Sequence, residues 1–446
     1  MKKKKQNLEV NGFSKLSKDE KIAWVIKNYF SDFKNSAKII ERYMIHDDDL
    51  QKIHDEFTEN TISNFITPLG VAPNFLIDGN DYCIPMVIEE SSVVAAASKA
   101  AKFWRSRGGF KTKIIDFKKT GQVHFTFDGS KEKLKDFFKK IKPILIRDCD
   151  QISNNMVKRG GGILNVNLVD KTVDIKNYFQ IEATFNTVDS MGANFINSCL
   201  EQFATTLNKE FEISNSFSKN EEKIEIIMSI LTNYVPNCLV RAEVSCPISE
   251  LGDFKNTTAN EFARKFDQAI KIAKTQKDRA VTHNKGIMNG VDSVVIASGN
   301  DFRAVEAGVH AYASRSGTYS SLSDVNIADG LFNFWIELPL SLGTVGGITN
   351  LHPLVKWSLN LLKNPNSKEL MKIVAVAGLA QNFGALQSLI TSGIQKGHMK
   401  MHLINILNSL EANDDEKRKL INYFSNNTVS YSSVKDELFK IRNENL

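Results

Sequence analysis

Residues 279–312 read RAVTHNKGIMNGVDSVVIASGNDFRAVEAGVHAY, and the rest of the chain is best read outward from them. Gly286, Gly290, Gly299 and Gly308 stand among a cation (Lys285), amides (Asn284, Asn289, Asn300), carboxylates (Asp292, Asp301, Glu306) and two guanidiniums (Arg279, Arg303). Glycine lets a backbone turn sharply or approach a ligand closely. The apolar run VVIAS presses against these groups. Polar groups drawn toward a core must find partners or stand ready for a ligand. A glycine-rich turn between a buried strand and a surface helix would account for Lys285 or Asp301 singly, but the block as a whole reads as an active site.

With 446 residues, 42% hydrophobic and 24% charged, the chain has room for a large core and about two to four domains. The net charge is +6, with the two signs mixed along most of the length. The one dense basic run, Lys2 to Lys5, leads into QNLEVNGF, which lacks a signal-peptide core and reads as a solvated tail. No window approaches roughly eighteen uninterrupted apolar residues, so neither a transmembrane helix nor a membrane partner is expected. Cys83, Cys149, Cys199, Cys238 and Cys246 are odd in number and form no CxxC pair, which argues against a disulfide framework or a zinc site. The expectation is a cytoplasmic protein with reduced thiols and no metal.

Residues 16–60 carry apolar positions at helical spacing, in EKIAWVIKNYF and SAKIIERYMI. DGND (78–81) then marks a tight turn between two short β-like runs, and the small residues from Ser91 to Ala101 predict a closely packed helix. From Lys113 the texture alternates. KIIDF, QVHFTFDG, ILNVNLV, YFQIEATFNT and CLVRAEVSCPI predict strands, while EKLKDFFKKIKPILI and 194–212 predict helices. Strands grouped with two helices suggest an α+β unit with an antiparallel sheet, a split βαβ of ferredoxin-like type, with NSFSKNEEK (215–223) as its exit linker. After Glu261 helical periodicity dominates, in PLVKWSLNLL, KELMKIVAVAGLAQNFGALQSLI and MKMHLINILNSL.

Several constellations carry possible chemistry. Glu89 and Glu90 precede the small-residue helix, where the helix dipole favours a carboxylate and where a partly dry cleft would let one carry a proton. DSMGAN (189–194) follows a strand and opens a helix, so its glycine can turn backbone N–H groups toward a phosphate, although it is not a GxGxxG fingerprint. RGGG (159–162) is a weaker hint of the same kind. His398, beyond a long apolar helix, is placed to deliver a proton from a movable element. His402 lacks an HExxH setting and a third ligand, and His283 reads as structural. No GxSxG is present, so acyl-enzyme chemistry has little support.

Taken together, PLGVAPNF, DYCIPMVIEESSVVAAASKAAK, DSMGAN, HNKGIMNGVDSVVIASGNDFRAVEAGVHAYASRSG, LGTVGG, GLAQNFGAL and GIQKGHMKMH resemble the 3-hydroxy-3-methylglutaryl-coenzyme A (HMG-CoA) reductases, in their bacterial class II form, over roughly residues 55–405. The resemblance implies two hydride transfers from NADH or NADPH to a thioester, by way of a hemithioacetal and an aldehyde, giving mevalonate and CoA. It implies that Lys285 stabilises the charge on the carbonyl oxygen, Glu90 supplies a proton, Asp301 links the two, and His398 protonates the departing thiolate. It assigns Arg279, Ser92, Asn289 and Gln381 to the acyl substrate, and Asp189, Met191, Gly192, Asn194 and Asn233 to the cofactor side. Two departures stand out: EESS puts Ser91 where the family reads proline, and Ser190 replaces an alanine in the cofactor motif.

The resulting expectation is an α+β multidomain enzyme. A large, mostly helical domain (1–112 and 223–394) holds the acyl-CoA portion, an inserted domain (113–222) the dinucleotide, and a helical C-terminal flap (395–446) His398. The resemblance implies a homodimer with shared sites, in which Glu90 faces Lys285 and Asp301 across the interface. The alternatives are a reductase of another acyl-CoA or of the aldehyde alone, or a non-catalytic CoA-binding protein. A nucleic-acid partner is not expected, because the basic residues show no aromatic interleaving.

Overall fold

The computed structural model describes residues 8–218, 223–252, 254, 257–391, 393, 403–425 and 427–444. Three helices open it: α1 (Lys18–Tyr29), α2 (Phe33–Arg42) and α3 (Asp48–Asp55), each capped by a side chain, from Ser17, Asp32 and Asp47 respectively. β1 (Leu69–Ile77) and β2 (Asn80–Val87) then form a hairpin. Its turn residues Asp78 and Gly79 both have positive φ, 48° and 83°, as a two-residue hairpin turn requires. α4 (Val93–Arg105) packs back on β1.

The main body holds a four-stranded antiparallel sheet in the order β3 (Lys111–Ile114), β8 (Leu239–Pro247), β10 (Leu331–Pro339), β9 (Ser323–Ala328). Helices α8 (Ala259–Thr275), α9 (Lys277–Ala297), α10 (Phe302–Ala313), α11 (Pro353–Leu361) and α12 (Ser367–Ile390) complete it. Helices still outweigh strands in this body, but the β9–β10 hairpin is absent from the sequence expectation. Its signals are present: β10 alternates inward and outward, and the turn is Asp329–Gly330 with φ 53° and 73°.

α12 is apolar on every side and has the length and hydropathy to cross a bilayer, but 72% of its most apolar window is inside the protein. Glycines explain how closely α9 and α12 meet. A Cβ on Gly290 would sit 2.4 Å from the Ala377 carbonyl oxygen, and one on Gly378 would sit 2.8 Å from Val291. Gly286, Gly290 and Gly308 lie within helices, and of the four glycines in the quoted block Gly299 alone is at positive φ.

A second body has its own core, centred on Val123, Phe125, Ile181, Phe185 and Phe203. Its elements run β4 (Lys119–Phe127), α5 (Lys131–Arg147), α6 (Asp150–Lys158), β5 (Gly162–Asp170), β6 (Tyr178–Asn186), α7 (Ala193–Ile213), β7 (Ile224–Leu231). The strand order is β5-β6-β4-β7, all antiparallel, which is the connectivity of a split βαβ unit. β3 belongs to the other sheet and β7 to this one, so the strands of the inserted body span 119–231 rather than falling within 113–222. NSFSKNEEK thus connects α7 to β7 and is not an exit linker. At the C-terminus, a helical stretch over 403–409 packs with α13 (Asp414–Tyr423) and α14 (Tyr431–Glu444) around Leu403, Leu407, Leu420 and Val434.

Candidate active site

α9 carries Lys285 and Asn289 four residues apart, hence on one face. The segment leading into α4 brings Glu90 against that face. Lys285 Nζ donates to Glu90 Oε2 at 2.5 Å, and Asn289 Nδ2 donates to the same oxygen at 3.2 Å. Glu90 thus lies beside Lys285 within one chain, not across a subunit interface as expected. The pair is open on one side, with the Lys285 side chain 60% exposed.

Ser92 N-caps α4 in the left-handed region (φ 73°), and its hydroxyl makes no capping hydrogen bond. Proline cannot adopt that φ at Ser92, but the family's proline aligns with Ser91, one residue earlier, which leaves the cap geometry accessible. Arg279, on the first turn of α9, is half-buried, and among the described residues its guanidinium has no hydrogen-bond or ion-pair partner. Burial lowers its pKa. Gln381 on α12 is buried, and its Oε1 lacks a partner. Arg279 and Gln381 are therefore polar groups with unspent hydrogen-bonding capacity.

His283 is different. Burial first, then the Arg279 charge, push its imidazole down to about 3, and Nε2 lies 2.7 Å from Ser323 Oγ. Ser323 Oγ in turn donates to Asn382 Oδ1 at 2.9 Å. This is a neutral histidine locked into the core. Asn284 is likewise structural, donating to the Ser320 carbonyl and accepting from Leu322 N–H.

Asp301 does not join Lys285. It caps α10, accepting from the N–H groups of Arg303 and Ala304, and pairs with the Arg303 guanidinium at 3.3 Å. The helix from Lys285 to Ala297 rises about 18 Å, which places Asp301 beyond the opposite end of α9. The expected link between Lys285, Glu90 and Asp301 is thus not made inside one chain.

Asp301 instead lines a cleft of about 400 Å³ between the two bodies, opposite Ser190, Met191, Gly192 and Asn194. Arg159 and the turn from Val345 to Thr349 complete its walls. Gly192 caps α7 at φ 90°, and a Cβ there would strike Thr187 at 2.3 Å. Gly343 is also obligatory, since its Cβ would lie 2.4 Å from Met191 N. Asp189 points away from the cleft and fastens the loop: Oδ1 accepts from Ser367 N–H at 2.9 Å, and its carbonyl accepts from Thr344 N–H at 2.8 Å. Asn233 lines a neighbouring cavity with Lys119, Met191 and Ala304 rather than the cleft itself. The cleft lining suits a dinucleotide, because a helix N-terminus with a glycine cap and one arginine favours a pyrophosphate.

His398 lies outside the described residues. Among the described residues, no group of three His, Cys, Asp or Glu side chains is arranged to hold a metal. The sequence reading missed two features. Lys119 is buried beneath the 189–192 loop, and the signal for it was a lysine at an inward position of the alternating strand KTGQVHFTF. Asp292, inside the quoted block, is pushed up to about 9 by burial and by its neighbour Glu306.

A lysine–carboxylate pair beside unspent polar groups, with a phosphate-type cleft at the far end of the same helix, is the layout of a nicotinamide-dependent oxidoreductase. Comparison with known proteins narrows this class. The sequence model of the hydroxymethylglutaryl-coenzyme A reductases matches residues 19–403. The HMG-CoA reductase of Archaeoglobus fulgidus is 33% identical over 413 residues, 92% of this chain and 89% of that protein. A probable HMG-CoA reductase of Borreliella burgdorferi is 32% identical over 402 residues, 88% and 89% of the two chains. Among solved structures, the Streptococcus pneumoniae HMG-CoA reductase superimposes with a TM-score of 0.71 at 32% identity, covering 97% of this chain and 99% of that one. A second structure from that organism, described as class II and bound to NADPH in open conformations, gives 0.70 and covers 85% of this chain and 99% of that one. The chain belongs to the hydroxymethylglutaryl-coenzyme A reductase family.

Proposed function

We propose that this chain reduces HMG-CoA to mevalonate and CoA in the mevalonate pathway, using NADPH or NADH, as a cytoplasmic homodimer whose two subunits build each site. The contact that carries this reading is Lys285 to Glu90 at 2.5 Å, on the helix that also bears Arg279, whose guanidinium has no partner among the described residues.

NAD(P)H, when bound, supplies the hydride at each of the two reductions. The chain's own residues do the rest. Lys285 stabilises negative charge developing on the carbonyl oxygen, an effect that grows once a substrate and a second subunit exclude water. Glu90, within reach of both Lys285 and Asn289, delivers the proton that the resulting alkoxide takes up. Arg279 offers a bidentate donor to the free carboxylate of the hydroxymethylglutaryl group, and Ser92, Asn289 and Gln381 bind its remaining polar atoms. Asp301 of the partner subunit completes the set around Lys285. His398, on the 395–446 flap, protonates the CoA thiolate, which leaves the hemithioacetal more readily once a proton donor is present. Met191, Gly192 and Asn194 face the cofactor, with Asp189 bracing their loop and Asn233 beneath it.

The related readings are not favoured. A reductase of an acyl-CoA without a free carboxylate has no use for a cation kept free for one, and a CoA-binding module has no use for the Lys285–Glu90 pair. The test is a spectrophotometric assay following NADPH and NADH, each with HMG-CoA and, in reverse, with mevalonate and CoA. Turnover of HMG-CoA supports the reading, and turnover of simpler acyl-CoAs with none of HMG-CoA defeats it.

A further inference from the structure

Alternation along β4 turns Lys119, Gly121, Val123, Phe125 and Phe127 inward. Lys119 is 2% exposed. Its ammonium donates to Thr187 Oγ1 at 2.7 Å, to the Ser190 carbonyl at 2.7 Å and to the Met191 carbonyl at 2.9 Å. Three donors meet three acceptors, so the group is saturated, yet no carboxylate is bonded to it. An apolar side chain would fill the same space without the desolvation penalty of a buried charge. The two carbonyls belong to the loop that forms one wall of the 400 Å³ cleft.

A trans peptide points its C=O and its N–H in opposite directions. Drawing the Ser190 and Met191 carbonyls inward therefore turns the N–H groups of Met191 and Gly192 outward, ahead of the free N–H groups that open α7. Among the described residues neither N–H has an acceptor. We propose that Lys119 is a positioning residue for the nicotinamide cofactor: by holding two carbonyls from beneath, it presents a ready-formed row of N–H donors to the cofactor phosphates. This rests on the cofactor-facing reading of the 189–194 loop given above.

The groups beside the ammonium are Asp189, the Cys238 thiol and the Phe117 ring, with Asp116 acting on that thiol and Lys368 over that same ring. Burial, opposed weakly by Cys238 and Asp189, brings Lys119 down to about 8. The cradle loosens as pH rises through that value, so cofactor affinity falls there while the acyl-CoA site does not follow.

The test is steady-state kinetics on the full-length enzyme with HMG-CoA saturating and the nicotinamide varied, at pH 7 and pH 9. Lys119→Met should raise the nicotinamide KM about tenfold, the worth of one charge-assisted hydrogen bond, leave kcat and the HMG-CoA KM within about twofold, and abolish the rise in KM at pH 9. Lys119→Arg should restore part of the affinity. Thr187→Val, which keeps shape and loses one partner, should raise the nicotinamide KM by a smaller factor and serves if the methionine variant does not fold. An unchanged nicotinamide KM in a folded Lys119→Met or Thr187→Val enzyme would overturn the proposal. Asn194→Ala separates the two levels: if it too leaves cofactor affinity unchanged, the loop reading fails, and if it alone weakens affinity, only the role of Lys119 fails.

Discussion

Lys285 sits near the middle of α9 and Asp301 beyond that helix's C-terminal end, with about 18 Å of helix between Lys285 and Ala297, although the proposed chemistry has both act on the same oxygen. Glu90 touches Lys285 from within the same chain, and in the proposed mechanism the remaining acid is supplied by a second copy.

Replacing Lys285 with alanine should abolish both reductions while leaving acyl-CoA binding largely intact. Losing a preorganised donor to the developing oxyanion costs about 100- to 1,000-fold in kcat. Turnover of HMG-CoA and of the free aldehyde, together with calorimetric binding of HMG-CoA, checks this. Near-normal turnover of either substrate would remove Lys285 from the mechanism.

Arg279 should govern the acyl substrate alone. Arg279→Ala is expected to raise the HMG-CoA KM roughly 10- to 100-fold, since a charge-assisted pair is worth about 1.5–3 kcal/mol, with the nicotinamide KM unchanged. Arg279→Lys should recover only part of this, because an ammonium cannot reproduce a bidentate fork. Equal changes in both KM values would point to a structural role.

His398 should matter for the thioester more than for the aldehyde, because only the thioester releases a thiolate. His398→Ala is expected to slow HMG-CoA reduction by about 100-fold or more and aldehyde reduction by far less, in keeping with the loss of one general acid. Equal losses on the two substrates would contradict the assignment.

Asp292 gives a pH signature. Its carboxyl is pushed up to about 9, chiefly by burial and then by Glu306, so it stays protonated in the folded protein at neutral pH. The unfolded chain releases that proton near pH 4, so this group's contribution to stability is full below about 4 and is lost as pH rises toward 9. Asp292→Asn should flatten that slope and raise the melting temperature near pH 8 by roughly 1–3 °C, a small shift because the group is partly solvated. A variant whose melting temperature falls in parallel with wild type across pH 5–9 would contradict the assignment.

The legible parts of this molecule were those where local chemistry dictates local structure. Asp78–Gly79 announces a hairpin, and KTGQVHFTF and YFQIEATFNT alternate as half-buried strands do. The residues 277–297 were harder. Gly286 and Gly290 suggest a turn by composition, whereas both lie in one continuous helix that carries Lys285 away from Asp301, and of the two only at Gly290 does the missing Cβ let α12 approach α9. Periodicity cannot reveal that a neighbour is a close-packed helix. Nor could it reveal Lys119, whose burial depends on three acceptors supplied by a loop some seventy residues later. The inserted body's limit was misplaced because NSFSKNEEK is polar enough to leave a domain, while β7 lies beyond it.

The division of the site between subunits is tested most directly by co-expressing two inactive chains, one carrying Lys285→Ala and the other Asp301→Asn. If Lys285 of one subunit works with Asp301 of its partner, each mixed dimer holds one intact site and one doubly damaged site. A random mixture then recovers about one quarter of wild-type activity toward HMG-CoA, by the statistics of a twofold-symmetric pair. No recovery, from a mixture shown by differential tagging to contain the mixed dimer, would mean that Lys285 and Asp301 must serve from the same chain, contradicting the shared site.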